Sequence, residues 1–158
     1  MKAFMTNGTF EYLSKLEEQH PPFILMHNAD TAIAYYEDDK NSSIFKTSRN
    51  YEVVLSQNDL QETGFIALTH LPITDEGAPI FELELKETAK NITDHPGFIA
   101  LRLLRPSKGG KTYILLTEWR NKYAYQRWKN DKGMAIEQKP YSAGPAYTNV
   151  YQVGEEEA

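Results

Sequence analysis

Gly97–Trp128 reads GFIALRLLRPSKGGKTYILLTEWRNKYAYQRW, and its change of period decides the fold. Phe98–Leu104 is a run of strand formers, closed by Pro106 and a Ser-Lys-Gly-Gly turn. Proline cannot donate to a ladder, and Gly109 and Gly110 accept positive φ, so the chain reverses there. Thr112–Trp119 makes a second strand. The spacing then turns helical, with Ala124 and Trp128 four apart and Tyr125 beside them. A hairpin that feeds a helix needs an earlier strand and helix on its apolar face. Phe65–Ile73 and Gly77–Lys90 are predicted to supply them, the helix burying Phe81, Leu85 and Ala89 with Ile80 alongside. Its Glu82, Glu84, Lys86 and Glu87 read as a wet face.

Upstream, Lys2–Thr6 is a predicted strand. Asn7-Gly8-Thr9 provides turn and N-cap chemistry for a helix carrying Phe10, Leu13 and Leu16, which stops before Pro21-Pro22. Phe23–Met26, Thr31–Tyr36, Ile44–Thr47 and Tyr51–Leu55 are short strand candidates, with Asn28-Ala29-Asp30 a turn. The polar stretch Ser56–Thr63 divides residues 1–62, a β-rich N-terminal subdomain, from residues 63–154. Met134–Lys139 resumes a helix in this reading, and Ala146–Val153 is the last strand. The second segment therefore runs β-α-β-β-α-β, the ferredoxin-like α+β order, whose open sheet face must be covered. The N-terminal strands are expected to cover it within one chain, which predicts a monomer.

Composition bounds the function. The chain has 158 residues, ordinary for one domain or two small ones. Its net charge of −5 and lack of a basic run disfavour nucleic acid and anionic membrane as partners. It contains no cysteine, which excludes disulfides, thiolate metal sites and cysteine nucleophiles within this chain. The first residues lack a signal-peptide core, and no stretch approaches the ~20 apolar residues of a membrane span. A cytoplasmic location is the expectation.

Several segments together resemble a known family. They are Thr74-Asp75-Glu76-Gly77, His95-Pro96-Gly97-Phe98 through Arg105-Pro106, Tyr113 through Leu116-Thr117-Glu118-Trp119, and Ala124-Tyr125 with Trp128. This pattern is similar to the antibiotic-biosynthesis-monooxygenase (ABM) family, in its HmoB/TRAP-like branch related to IsdG-type haem-degrading monooxygenases. Thr6-Asn7-Gly8-Thr9 and Tyr51-Glu52-Val53 extend the likeness over most of the chain. The resemblance implies an ABM fold of the dimeric α/β-barrel type with an N-terminal β-rich extension. It also implies haem as both cofactor and substrate, and an external electron donor.

In that family, activity rests on an Asn on the first strand, a Trp ending the third, and an axial His on the last helix. Trp119 matches the Trp. The Asn position falls at Thr69 or His70, so the Asn is missing, and the axial position falls at Gln138. A carboxamide is a poor haem-iron ligand where neutral imidazole is a good one. The resemblance thus implies Trp119, Thr69 and His70 as catalytic candidates. His70, Arg102, Gln138 and Met134 are the cofactor-binding candidates, with His70 the first choice as metal ligand. Met134 offers a soft alternative, and Arg102 a guanidinium for a propionate.

Plain roles stand beside each of these. Trp119 shares an alternation face with Tyr113, Leu115 and Thr117, where packing under a helix is its ordinary use. Thr69 and His70 are neighbours on a strand, so only one of them faces a given cavity. Arg102 and Arg105 are three apart and take opposite faces, each a solvated edge charge in the plain reading. His20, His27 and His95 sit at turns. Three functions follow: a haem-degrading monooxygenase, a non-catalytic TRAP-like regulatory or ligand-binding relative, or a cofactor-independent oxygenase of an aromatic substrate.

Overall fold

The computed structural model describes residues 1–19, 23–39, 45, 48–107, 110–131 and 140–154. The chain runs β1 (Lys2–Gly8), α1 (Phe10–Gln19), β2 (Ile24–His27), β3 (Ala32–Asp38), β4 (Arg49–Gln57), β5 (Phe65–Pro72), α2 (Ala78–Thr88), a 3-10 turn (Ala89–Asp94), β6 (Phe98–Pro106), β7 (Thr112–Trp119), α3 (Lys122–Asp131) and β8 (Tyr147–Val153). From β5 onward this is the ferredoxin-like β-α-β-β-α-β order.

The strands close into one barrel in the order β1-β3-β2-β8-β5-β7-β6-β4. Every named pairing is antiparallel. N-terminal strands meet the ferredoxin-like sheet at both its edges. β4 runs against β6 from Tyr51↔Pro106 to Gln57↔Leu101, and β2 touches β8 through Met26↔Val153 and His27↔Gln152. The sheet face is thus enclosed by continuation of the sheet around a barrel. Closing a sheet on itself removes its exposed edges.

Period-two alternation divides the apolar residues into layers. Inside the barrel lie Met5, Met26, Ile33, Tyr35, Ile66, Leu68, Ile114 and Leu116, among others. Between the sheet and α2 and α3 lie Phe65, Ala67, Leu71, Phe81, Leu85, Leu101, Leu103, Tyr113, Leu115, Trp119, Tyr125 and Trp128. A third layer, with Phe4, Leu13, Phe23 and Leu25, sits under α1.

Local chemistry sets the element ends. Thr9 Oγ1 accepts the Tyr12 amide at 3.1 Å, capping α1. Asn28 Oδ1 accepts the amides of Asp30 and Thr31, fixing the turn between β2 and β3. Asn121 Oδ1 accepts the Ala124 amide at the start of α3. Gly97 has φ +83°, and an added Cβ would stand 2.5 Å from Ala124 Cβ, so glycine is required where the hairpin passes α3.

Two expectations about α2 are corrected. Ile80 is 57% exposed, because the apolar stripe of the helix runs through Phe81 and Leu85 one residue away from it. Glu82 and Glu84 are not a bare solvent face, since both hydrogen-bond side chains of the sheet side. Most of the Ile44–Thr47 strand candidate and the whole of the Met134–Lys139 helix candidate lie outside the described residues. No helix among the described residues is long and apolar enough to cross a membrane.

Candidate functional site

β5 assigns the faces. Phe65, Ala67 and Leu71 belong to the helix-side layer, and Ile66 and Leu68 to the barrel interior. Thr69 therefore faces the helices and His70 the barrel. The Thr69 hydroxyl is engaged with Thr148 Oγ1 on β8 at 3.0 Å. His70 is 7% exposed, stacks on Tyr147, and its Nε2 meets no partner. Burial first, and then the charge of Arg49, hold its pKa below the ordinary value.

Trp119 ends β7, registered opposite Phe65 of β5 and Phe98 of β6. It is completely buried, and its Nε1 has no hydrogen-bond partner. Phe98 meets it edge-on with centroids 5.5 Å apart, while Trp128 and Tyr125 lie tilted against it at 5.2 and 6.3 Å. The rings that would wall a flat ligand are in contact with one another. Further along the same face, Arg105 grips Glu82 with two bonds, of 2.8 and 2.6 Å, and the Tyr113 hydroxyl donates to the same carboxylate. Arg105 and then Tyr113 hold Glu82 below its ordinary pKa, while burial and Glu82 push Tyr113 up to about 12. Tyr141 donates to Glu84 in the same manner at 2.7 Å. These bonds tie α2 to the sheet.

A haem site needs an iron ligand and a donor near bound oxygen. On this face the Thr69 hydroxyl is already engaged, and His70 points to the opposite side of the strand. Gln138 and Met134 lie outside the described residues. The described residues of the helix face do not fit haem as its ligands.

The barrel interior holds a charged cluster on the opposite side of the sheet. Arg102 faces inward, opposite to Arg105, and donates from Nε to Glu37 at 2.8 Å. Its Nη1 donates to the carbonyls of Leu101 and Asn58, both at 2.8 Å. Tyr35 donates to the same Glu37 oxygen at 2.6 Å. Arg102 is thus occupied within the barrel, away from the helix face where a propionate partner would stand. Next to it, Glu118 is fully buried: Oε1 accepts the Gln61 amide at 2.9 Å, and Oε2 has no partner. Burial pushes its pKa up to about 7, against the opposing pull of the Gln61 amide and of Arg102. Arg102 and Glu37 also line an open cleft of about 420 Å³ with Val53, Ser56, Asn58 and Asp59. Sequence reading assigned no role to Glu118, Glu37 or Tyr35. The signal was present in β7, where Glu118 continues the even positions of Ile114 and Leu116 and so had to be inward.

The remaining histidines keep plain roles where they are described. His27 meets Phe10 edge-on, and His95 ends the 3-10 turn, its carbonyl accepting the Phe98 amide. His20 lies outside the described residues. Among the described residues, no group of three or more His, Asp or Glu is arranged to hold a metal.

Comparison with known proteins fits this architecture. Residues 64–135 match the model of the antibiotic biosynthesis monooxygenase family. This segment is an ABM domain. Over 130 residues the chain is 28% identical to the signal transduction protein TRAP of Staphylococcus aureus strain USA300, covering 81% of this chain and 77% of TRAP. The solved structure of a regulator of staphylococcal pathogenesis superposes with a TM-score of 0.87 at 22% identity, covering 98% of this chain and all of the regulator. A haem-degrading enzyme from Listeria monocytogenes superposes with a TM-score of 0.80 at 19% identity, again over 98% of this chain and all of that one. At these identities the structures share the ABM fold with this chain, and the fold hosts both a regulator and an enzyme.

Proposed function

We propose that this chain is a non-catalytic member of the ABM fold, a regulatory or ligand-binding module of the TRAP kind, acting as a cytoplasmic monomer. One observation carries the reading. β5 commits the Thr69 hydroxyl to Thr148 and turns His70 into the barrel. The helix face then keeps, among its described residues, no imidazole for iron, and its unpartnered buried donor is the indole Nε1 of Trp119, packed among Phe98, Tyr125 and Trp128. The relative named for signal transduction supports the regulatory side of the reading, and the cysteine-free composition supports the cytoplasm. The test is a haem titration followed by reductant under oxygen. The expected result is that the chain neither sharpens the Soret band of added haem nor causes it to bleach when reductant is added. Oxygen-dependent bleaching by the unmodified chain overturns the proposal.

A haem-degrading monooxygenase, drawing electrons from an external donor, is the second reading. It is favoured by Trp119, which ends β7 on the helix face with an unpartnered Nε1. In that reading Gln138→His sharpens the Soret band and speeds reductant-driven bleaching, because it restores an imidazole at the position the resemblance assigns to the axial ligand. No bleaching in either protein removes this second reading.

A further inference from the structure

The barrel has a second polar end, away from Glu118. Along β5, Ile66 is registered with Glu118, whereas His70, four residues on, is registered with Ile114 and with Tyr147. The His70 and Tyr147 rings are stacked nearly parallel, with centroids 4.3 Å apart and 7° between planes. His70 is buried with an unpartnered Nε2, yet the ring that covers it is 55% exposed. A buried polar atom without a partner costs free energy, and an exposed tyrosine over it is a cover that can swing aside.

Arg49 stands beside this pair at the start of β4. It is exposed, and its Nη2 donates to Asn7 Oδ1 at 2.6 Å. Among the described residues it makes no ion pair. Its positive charge acts on His70, Tyr51 and Tyr151. In a chain of net charge −5, this mouth gathers a cation without a carboxylate, an imidazole without a partner, and three tyrosine rings. The other mouth differs, because Arg102 is already matched by Glu37 and by backbone carbonyls.

We propose that the mouth formed by Asn7, Arg49, Tyr51, His70 and Tyr147 binds a small aromatic carboxylate, its carboxylate on the Arg49 guanidinium and its ring over His70 in place of Tyr147. A guanidinium fork matches a carboxylate in two parallel bonds. The stacked Tyr147 shows that the His70 face takes a flat six-membered ring. Barrel mouths lined by aromatic side chains with one or two polar groups are common ligand sites. This site is separate from the helix face, and its test is independent of any haem result.

The probe is benzoate, titrated into the full chain and followed by calorimetry and by the ring carbon and proton resonances of His70. Uncharged benzamide and non-planar cyclohexanecarboxylate are the controls. Benzoate is expected to saturate and to shift the His70 signals, with both controls about tenfold weaker or worse. Arg49→Gln is expected to weaken benzoate about tenfold without changing the far-ultraviolet circular dichroism, the loss of one charge-assisted pair. Tyr147→Ala uncovers the His70 face and is expected to tighten binding. The site is overturned if benzamide binds as well as benzoate, if Arg49→Gln changes nothing, or if His70 does not respond. Equal binding of cyclohexanecarboxylate overturns the aromatic assignment.

Discussion

Glu118 gives the stability of the chain a pH dependence that falls across neutrality. Its carboxyl is fully buried and titrates near 7, against an ordinary value of 4.5. The folded chain therefore holds a proton on this group over a range where the unfolded chain has released it. A raised folded pKa contributes stability that is complete below the unfolded pKa and is lost as pH rises through the folded one. At about 1.4 kcal/mol per pKa unit, ionisation of Glu118 removes about 2.5 kcal/mol between about pH 5 and about pH 8. Glu118→Gln removes the titration while keeping an acceptor for the Gln61 amide. The amide adds a buried N–H of its own, costing about 1–3 kcal/mol at any pH. That cost cancels when each protein is compared with itself at two pH values. The pH terms of Glu82, Glu52 and His70, which both proteins share, cancel when the two proteins' pH differences are subtracted. Urea unfolding followed by tryptophan fluorescence gives the comparison. The parent should lose about 2.5 kcal/mol more than Glu118→Gln on going from about pH 5 to about pH 8. Identical pH dependence in the two proteins would refute the burial account of Glu118, and with it the closed barrel end at Gln61.

Trp119→Ala should cost about 3–5 kcal/mol of stability, because a fully buried ring packed on Phe98, Tyr125 and Trp128 leaves a cavity; chemical denaturation measures it. Glu82→Gln should bring the Tyr113 phenol part of the way down from about 12, leaving the burial contribution, as read by ultraviolet titration of the phenolate. Sedimentation should give a monomer across a wide concentration range, since β4–β6 and β2–β8 pairing satisfies both edges of the ferredoxin-like sheet within one chain.

Most of the fold was legible because its signals are local. The Pro-Ser-Lys-Gly-Gly break, the alternation of Thr112–Trp119 and the helical spacing of Tyr125 and Trp128 each fix one element. Their order then restricts the topology to a few forms. What stayed illegible was longer in range. Nothing in the pattern of α2 announces that Glu82 meets Arg105 and Tyr113, since those partners lie 23 and 31 residues away. Ile80 was misplaced because a helix stripe is about 100° wide, and one residue of offset carries a side chain over its edge. The role of Glu118 was half legible. Its parity in β7 put it inward, but only the arrival of Gln61 and Arg102 explains how a carboxylate is kept there.

The parity of β5 decides more of the functional question than any one residue's identity. Adjacent residues on a strand cannot serve one cavity, so Thr69 and His70 were always alternatives. The structure resolves the choice through Thr148, which meets Thr69 on the helix side, and Tyr147, which meets His70 on the barrel side. The same two neighbours on β8 thus separate two chemistries across one sheet. On the helix side, the described residues present a hydroxyl pair and two indoles packed against each other. On the barrel side, His70, its Nε2 unpartnered, sits under the exposed Tyr147 ring and beside Arg49, which forms no ion pair among the described residues. A chain that has closed its barrel within itself is free to use the barrel mouth, because the strands that a second subunit would bring are already its own.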